Sequence, residues 1–142
     1  METASKTTIT VENTINAPIE KVWEFWSKPE HITQWANASD DWHAPYADND
    51  LRKDGKFKTT MAAKDGSVSF DFEGIYTTVE ENSLIEYAMA DGRKVKISFE
   101  SNDDSTKVTE TFDPESINSI ELQRNGWQAI LNNFKKYTEV NI

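Results

Sequence analysis

The sequence predicts an α+β fold in which a curved antiparallel sheet wraps around a long C-terminal helix. Residues 8–15 alternate between apolar and polar side chains, and residues 42–112 form strand-like runs separated by short turns. Residues 120–137 carry an apolar stripe with helical spacing. A terminal helix of this length can cover one face of the sheet. With 142 residues in total, we expect a single domain spanning residues 1–142.

One strand and two short helices come before the series of strands. Ile9, Val11 and Ile15 lie in phase, which predicts a half-buried first strand. Pro18 opens a helix at a position where its missing N–H costs nothing, and a second short helix starts near Pro29. The apolar positions of these two helices are Ile19, Val22, Trp23, Trp26, Ile32 and Trp35.

Turn signals divide residues 42–112 into the strands of a continuous antiparallel meander. We interpret Asp91-Gly92 as a two-residue hairpin turn. The other signals lie at Gly55 and at residues 64–66, 81–83 and 102–104.

The last element is a helix about 30 Å long, enough to cross the sheet. Asn118, with Glu121 three residues later, predicts its capped start. Gly126 lies within the helix, where glycine costs about 1 kcal/mol relative to alanine. We therefore expect either a close approach or a bend at Gly126. The apolar face consists of Ile120, Trp127, Ile130, Leu131, Phe134 and Tyr137.

Composition and charge exclude several classes of function. The chain has no cysteine, so it can form neither a disulfide, a thiolate metal site nor a cysteine nucleophile. A formal net charge of −10 argues against a nucleic-acid partner. No apolar run is long enough to span a bilayer, and the N-terminus lacks a signal-peptide stretch. We expect a cytoplasmic monomer with no membrane partner.

Few residues offer catalytic or metal-binding chemistry. His31 and His43 are the two histidines, and we expect surface or capping roles for both. Residues 48–50 resemble the start of a calcium loop, but Lys53 occupies the position of the required glycine. No Ser/His/Asp arrangement and no phosphate-binding glycine loop is present. We therefore expect no metal and no cofactor.

Glu110 is the one carboxylate whose strand phase points it toward the concave face of the sheet. A hairpin turn at residues 103–104 places Glu110 opposite Ile97. The turn at residues 91–92 then places Glu86 on the other side of Ile97, so two carboxylates would lie roughly 10 Å apart. A register slip of one residue would remove this arrangement.

A carboxyl group in an apolar pocket has a raised pKa because burial disfavours its charged form. Glu110 could then anchor a hydroxyl or amine of a ligand, or act as an acid or base. The alternative is that the Glu110 side chain is solvated at the rim of the pocket, or that it pairs with Arg93 or Gln123.

The many aromatic side chains on the predicted inner face indicate an apolar cavity, because large rings leave gaps more readily than aliphatic side chains. Each ring could also be an ordinary core residue. The candidate ligand-binding residues are Trp35, Trp42, Phe57, Met61, Phe70, Phe72, Tyr76, Ile97, Phe99, Glu110, Phe112, Gln123, Trp127, Ile130 and Leu131.

Six segments follow one another with a recognisable order and spacing over nearly the whole chain. They are Ala17-Pro18 with Val22-Trp23 and Trp26; Pro29-Glu30 with Ile32 and Trp35; residues 70–74 (FDFEG); residues 84–87 (LIEY); residues 107–112 (KVTETF); and Gly126-Trp127 with Leu131 and Phe134. In the order and spacing of these six segments, the chain resembles the START-like (SRPBCC) superfamily. Within it, the chain is similar to small bacterial proteins related to the C-terminal domain of activators of the ninety-kilodalton heat-shock protein ATPase. The resemblance implies the helix-grip fold and a deep hydrophobic pocket.

Three functions remain open, because the superfamily includes lipid carriers, hormone receptors, aromatase/cyclases and co-chaperone domains. The first is a carrier or sensor of a small hydrophobic molecule that is lipid-like, aromatic or polyketide-like. The second is a cyclase- or hydrolase-type enzyme that uses Glu110. The third is an interaction module for a chaperone or another protein, docking through the acidic residues 38–50 with Trp42 and Tyr46. We favour binding over catalysis because the chain lacks a nucleophile and a metal site.

Overall fold

The computed structural model describes residues 7–141, which form a seven-stranded antiparallel sheet and three helices. The predicted α+β fold is confirmed, including the two short helices after the first strand. None of the helices in this range has the length and apolarity needed to cross a membrane. In chain order the elements are β1 (Ile9–Ile15), α1 (Ile19–Ser27), α2 (Pro29–Trp35), β2 (Trp42–Asn49), β3 (Lys56–Ala63), β4 (Ser69–Glu80), β5 (Leu84–Met89), β6 (Lys94–Asn102), β7 (Ser105–Phe112) and α3 (Ile120–Asn141).

The sheet is a meander with its first strand added at the far edge. Its spatial order is β1-β7-β6-β5-β4-β3-β2, so β1 pairs with the last strand, and α1 and α2 carry the chain to the opposite edge. The sheet curls around α3, which packs most closely against β1. The inner face of the sheet and α3 therefore form the two walls of the interior.

Alternation along the central strands builds the core. Val95, Ile97 and Phe99 of β6 are buried on the inner face, as the period of two predicts. Trp26 of α1 joins the layers, because its ring lies 4.9 Å from the ring of Phe134 on α3 and 5.7 Å from that of Phe99. Edge-to-face contacts of this kind fix α1 and α3 relative to the sheet.

The hairpin between β5 and β6 has a three-residue loop, residues 90–92, where the sequence pattern predicts two residues. The Met89 backbone N–H donates to the Arg93 carbonyl (2.8 Å), and the Gly92 N–H donates to the Met89 carbonyl (2.9 Å). Gly92 has φ +92°, a left-handed conformation that glycine adopts without strain. This is the geometry of a turn followed by a glycine bulge, the common form of three-residue hairpin loops.

The extra loop residue shifts the β5–β6 register by one. Ile85 lies opposite Ile97, and Glu86 lies opposite Lys96. The predicted position of Glu86 beside Ile97 is therefore wrong, and its side chain is on the face opposite to that of Ile85. The β6–β7 register agrees with the prediction, with Glu110 opposite Ile97.

The start of α3 also differs from the prediction by one residue. The Ser119 Oγ accepts a hydrogen bond from the Leu122 backbone N–H at 3.1 Å, so Ser119 takes the capping position expected for Asn118. Asn118 instead donates its backbone N–H and its side-chain amide to the carboxylate of Glu115, at 2.6 and 3.0 Å. The Glu115 carboxylate thus holds Asn118 in the loop before the helix.

Replacing Ser119 by alanine is expected to lower the free energy of unfolding by about 1 kcal/mol, the usual cost of losing an N-cap. Asn118→Ala is the matched control. It removes one exposed side-chain hydrogen bond, so we expect a smaller loss of about 0.5 kcal/mol. Urea unfolding followed by tryptophan fluorescence measures both, and a larger effect of Asn118→Ala would contradict the assignment of the cap.

Candidate functional site

A cavity of about 600 Å³ lies between the inner face of the sheet and α3. Its volume falls within the range of about 300–1,000 Å³ that is typical of small-molecule sites. Phe70 (50% exposed) and Leu122 (58% exposed) are among its lining residues, so the cavity opens to solvent between β4 and the start of α3. The buried part of the lining includes Trp35, Ile85, Tyr87, Ile97 and Glu110.

Most of the predicted ligand-binding residues meet at this cavity, although they come from seven different elements. Whether they bind a ligand stays a prediction. The residues brought together are Trp35, Trp42, Phe57, Met61, Phe70, Phe72, Tyr76, Ile97, Glu110, Gln123, Trp127 and Ile130.

Three predicted site residues lie outside the lining. Phe112 is covered by the ring of Trp127, which stacks on it at 3.7 Å, and Phe99 packs edge-on against Trp26. Leu131 is fully buried in the core. Their assignment to the cavity is corrected, because alternation and helical periodicity identify inward residues without showing which of them are covered by a neighbour.

Interlocking rings form one wall of the cavity. The ring of Phe57 lies 4.6 Å from that of Tyr87 and 5.2 Å from that of Tyr76. The ring of Phe72 lies 6.0 Å from Trp127, which joins this wall to α3. Tyr87 was missing from the predicted site, although its alternation with Ile85 on β5 could have indicated it.

Gly74 of β4 makes room for this wall. It pairs with Phe57 of β3, and a Cβ at Gly74 would lie 2.9 Å from both the Phe57 ring and the carbonyl oxygen of Ala88. A side chain cannot occupy that space without displacing the backbone of β5. Glycine at this position therefore lets the Phe57 ring lie across the strand beside it.

A short hydrogen-bonded chain fixes one polar group in the lining. The Tyr76 hydroxyl donates to the Asn49 Oδ1 at 2.5 Å, and the Asn49 amide donates to the Ser27 carbonyl at 2.6 Å. Burial raises the pKa of Tyr76, so the hydroxyl stays neutral. Asn49 was not predicted as part of the site. The sequence alone does not distinguish an asparagine in an exposed loop from one whose side-chain amide supports a buried hydroxyl.

Glu110 lies inside the cavity wall and is only 6% exposed. Within residues 7–141 its carboxylate has no hydrogen bond or ion pair. Arg93 pairs with Asp91 at 2.7 Å, and the Gln123 amide donates to the backbone carbonyls of Glu115 and Asn118. The inward placement is thus confirmed, and neither the wet rim position nor pairing with Arg93 or Gln123 is found.

Burial raises the pKa of Glu110 to about 8. The pKa of Tyr87 is raised well above its ordinary value, mainly by burial and also by the negative charge of Glu110 nearby. At neutral pH the cavity therefore holds a carboxyl group that keeps its proton for most of the time, beside a neutral phenol.

Gly126 faces the cavity from α3. No atom lies within 4 Å of the position that a Cβ would take, apart from the backbone of the helix itself and the two neighbouring residues. Of the two alternatives expected at Gly126, the close approach is therefore wrong, and the bend stays a prediction. The glycine leaves open space in the cavity, and packing within the protein does not require it.

The two histidines have different surroundings. The His31 Nδ1 makes a 2.6 Å hydrogen bond with the Tyr137 hydroxyl, and the His31 ring stacks on Phe25 at 4.1 Å. His31 thus connects α2 to α3 in place of the expected surface role, whereas His43 is exposed on β2. Within residues 7–141, no three His, Cys, Asp or Glu side chains cluster as a metal site would require.

Part of the stretch that was expected to serve as a docking surface also lines the cavity. Trp42 lines it and packs against Phe70 with ring centres 5.9 Å apart, whereas Tyr46 is 50% exposed. Trp42 and Tyr46 therefore do not form a single exposed apolar patch.

Comparison with known proteins identifies the family. The family described as activator of Hsp90 ATPase homolog 1-like protein matches residues 16–139 of this chain. The chain belongs to this family. Among curated proteins, none matches this chain.

Solved structures agree with the family and the fold. The AHSA1-like protein from Aeromonas hydrophila is 44% identical, with 94% of this chain and 93% of that chain covered and a TM-score of 0.88. A protein from Cytophaga hutchinsonii is 59% identical, with the same coverage of both chains and a TM-score of 0.81. A protein from Chromobacterium violaceum, at 18% identity, covers 93% of this chain and 96% of its own with a TM-score of 0.83, which shows the fold alone.

Glu110→Gln is expected to stabilise the protein at pH 7, and the gain should shrink as the pH falls. Folded Glu110 holds its proton up to about pH 8, whereas in the unfolded chain it loses the proton near its ordinary pKa of 4.5. Between these values the wild-type protein loses stability as the pH rises. At ~1.4 kcal/mol per pH unit, the advantage of the variant grows by about 3 kcal/mol from pH 5 to pH 7.

Urea unfolding at pH 5 and pH 7 measures this difference. Glu86→Gln serves as the control, because it makes the same chemical change on the other face of the sheet, away from the cavity. An equal effect of Glu110→Gln at pH 5 and pH 7 would contradict the burial of the carboxyl group.

Proposed function

We propose that the protein binds a small hydrophobic molecule in the cavity between the sheet and α3, as a carrier or sensor. The ligand class is lipid-like, aromatic or polyketide-like. The observation that carries the proposal is the cavity itself, about 600 Å³ of ring-lined space with an opening to solvent. Apolar surface that a ligand removes from water contributes roughly 25 cal/mol per Å² to binding before the costs of association. A bound apolar molecule would therefore gain from covering the ring-lined wall.

Gly126 supports the proposal independently of the cavity volume. A glycine within a helix costs about 1 kcal/mol relative to alanine, and at Gly126 an alanine would meet no neighbouring atom. Neither helix propensity nor packing accounts for glycine there. Space for a ligand against α3 would account for a glycine at this position.

The polar groups in the lining are few, as expected for a site that orients an otherwise apolar guest. The Tyr76 hydroxyl is held by Asn49, and Glu110 has no partner within residues 7–141. Both can form hydrogen bonds with a ligand.

One observation favours an enzyme as the second candidate. A carboxyl group with a pKa of about 8 can donate a proton at neutral pH, so Glu110 could act as a general acid toward a cyclase or hydrolase substrate. Under that alternative, Glu110→Gln abolishes conversion of the bound molecule and leaves its binding intact. A co-chaperone-like role stays a prediction.

Two variants of Gly126 test the proposed site. Gly126→Ala is expected to raise the free energy of unfolding by about 1 kcal/mol and to weaken ligand binding less than a larger side chain does. Gly126→Leu places a branched side chain in the cavity and should weaken binding of the neutral dye Nile red roughly ten-fold or more. Dye fluorescence measures the affinity, and urea unfolding measures the stability.

Arg124→Leu is the matched control, because it adds the same side chain at an exposed position of α3. It should bind the dye as the wild-type protein does. Equal dye affinity of Gly126→Leu and wild type would show that the cavity is not the site. Native mass spectrometry of protein purified from its own host extends the test, since a carrier should retain a small molecule that Gly126→Leu loses.

A further inference from the structure

Four acidic residues belong to the lining of the cavity, Asp48, Asp71, Glu110 and Glu115, and Arg93 is its one basic residue within residues 7–141. Asp48 and Asp71 lie in phase with Lys58 on the outer face of the sheet, whereas Glu110 faces the interior. The Arg93 guanidinium is already paired with an aspartate at 2.7 Å. Among the acidic groups on the sheet, Glu110 is therefore the one that can favour a cation over an anion inside the cavity.

The acidic groups differ in how far their charge is compensated. The Asp71 carboxylate lies 3.8 Å from the Lys58 Nζ and accepts a hydrogen bond from Thr60. The Glu115 carboxylate accepts the backbone N–H groups of Ile117 and Asn118 in the loop before α3. Glu110 has no such partner within residues 7–141, and it is the most deeply buried of the four. A buried carboxylate without a partner is costly, so Glu110 is the group that gains most from a cation.

The surroundings of Glu110 suit an ammonium group on an otherwise apolar molecule. Tyr87 is close enough for the charge of Glu110 to raise its pKa, and its ring packs edge-on with that of Phe57 in the cavity wall. Aromatic faces attract cations, by about 0.5–2 kcal/mol per contact. The carboxylate and the rings therefore favour the same kind of group.

We propose that the ligand is an apolar molecule with one protonated amine, and that its ammonium group binds the Glu110 carboxylate beside the aromatic wall. This inference rests on the proposed function and specifies the ligand class of the same cavity. No covalent bond forms in this step. The ammonium N–H donates to a Glu110 oxygen, and the proton that Glu110 carries in the free protein leaves to solvent.

The proton release makes binding depend on pH. Because the carboxyl group of the free protein titrates with a pKa of about 8, each ammonium bound at pH 6 displaces one proton. Affinity for the amine should therefore rise close to ~10-fold per pH unit from pH 6 toward pH 8 and then level off. The other titratable groups of the lining are Tyr76 from β4, Tyr87 from β5, Arg93 before β6 and Glu115 before α3, while the carboxylates of Asp48 from β2 and Asp71 from β4 lie on the outer face of the sheet.

Three molecules with the same ring system and different charge test the proposal. They are naphthylmethylamine, which is a cation, naphthylmethanol, which is neutral, and naphthoate, which is an anion. Isothermal titration calorimetry at pH 8 should show the amine binding roughly ten-fold or more tightly than the alcohol, and naphthoate binding most weakly.

Glu110→Gln then separates the charge from the shape of the cavity. It should cost the amine roughly ten-fold or more in affinity, change the alcohol by less than about two-fold, and remove the rise in amine affinity between pH 6 and pH 8. Retained binding of the alcohol also shows that the variant is folded. Calorimetry at pH 6 in buffers of different ionisation enthalpy should report about one proton released per amine bound by the wild type.

The outcomes distinguish this inference from the proposed function. If the alcohol binds the wild type and Gly126→Leu prevents it, the cavity is a ligand site. An amine that then binds no better than the alcohol, or that Glu110→Gln leaves unchanged, overturns the inference alone. If none of the three molecules binds the wild type, the inference and the proposed function both fail.

Discussion

The stacking of Trp127 on Phe112 is the contact on which the interior depends. At a centroid distance of 3.7 Å the two rings lie nearly parallel and join α3 to β7. Trp26 holds the other half of α3 through Phe134. Gly126 of α3 also lines the cavity, and it has no side chain that could fill the space there. The helix is therefore fixed firmly while part of the space beneath it stays open.

Alternation predicts much of this arrangement from the sequence, because a strand has only two faces. The inward placement of Glu110 follows from its phase with Val108, and the β6–β7 register follows from a turn whose length the sequence shows. The register beside Glu86 could not be predicted, since Asp91-Gly92 fits a two-residue turn as well as the end of a three-residue loop. A difference of one residue in loop length reverses the face of a whole strand.

Packing partners are the part of the site that sequence patterns leave open. Phe112 has the same inward phase as Glu110, yet a ring from α3 covers it, whereas Glu110 remains part of the cavity lining. Asn118 is hydrogen-bonded to Glu115, and Ser119 takes the capping position of α3. The sequence spacing alone does not show that Asn118 has this other partner. Such choices depend on contacts between elements, so they emerge only when the sheet and the helices are assembled.

The pairing of β1 with β7 has a consequence for how the chain folds. Ile9 lies opposite Phe112, so the first strand finds its partner only after nearly the whole sheet has been synthesised. Contacts between residues so distant in sequence form slowly, because a long loop must close before they are gained. β7 itself pairs with β6 across a two-residue turn, so Glu110 can take its place opposite Ile97 before β1 completes the sheet. A ligand of the proposed kind that binds only the completed cavity would stabilise the folded chain by mass action.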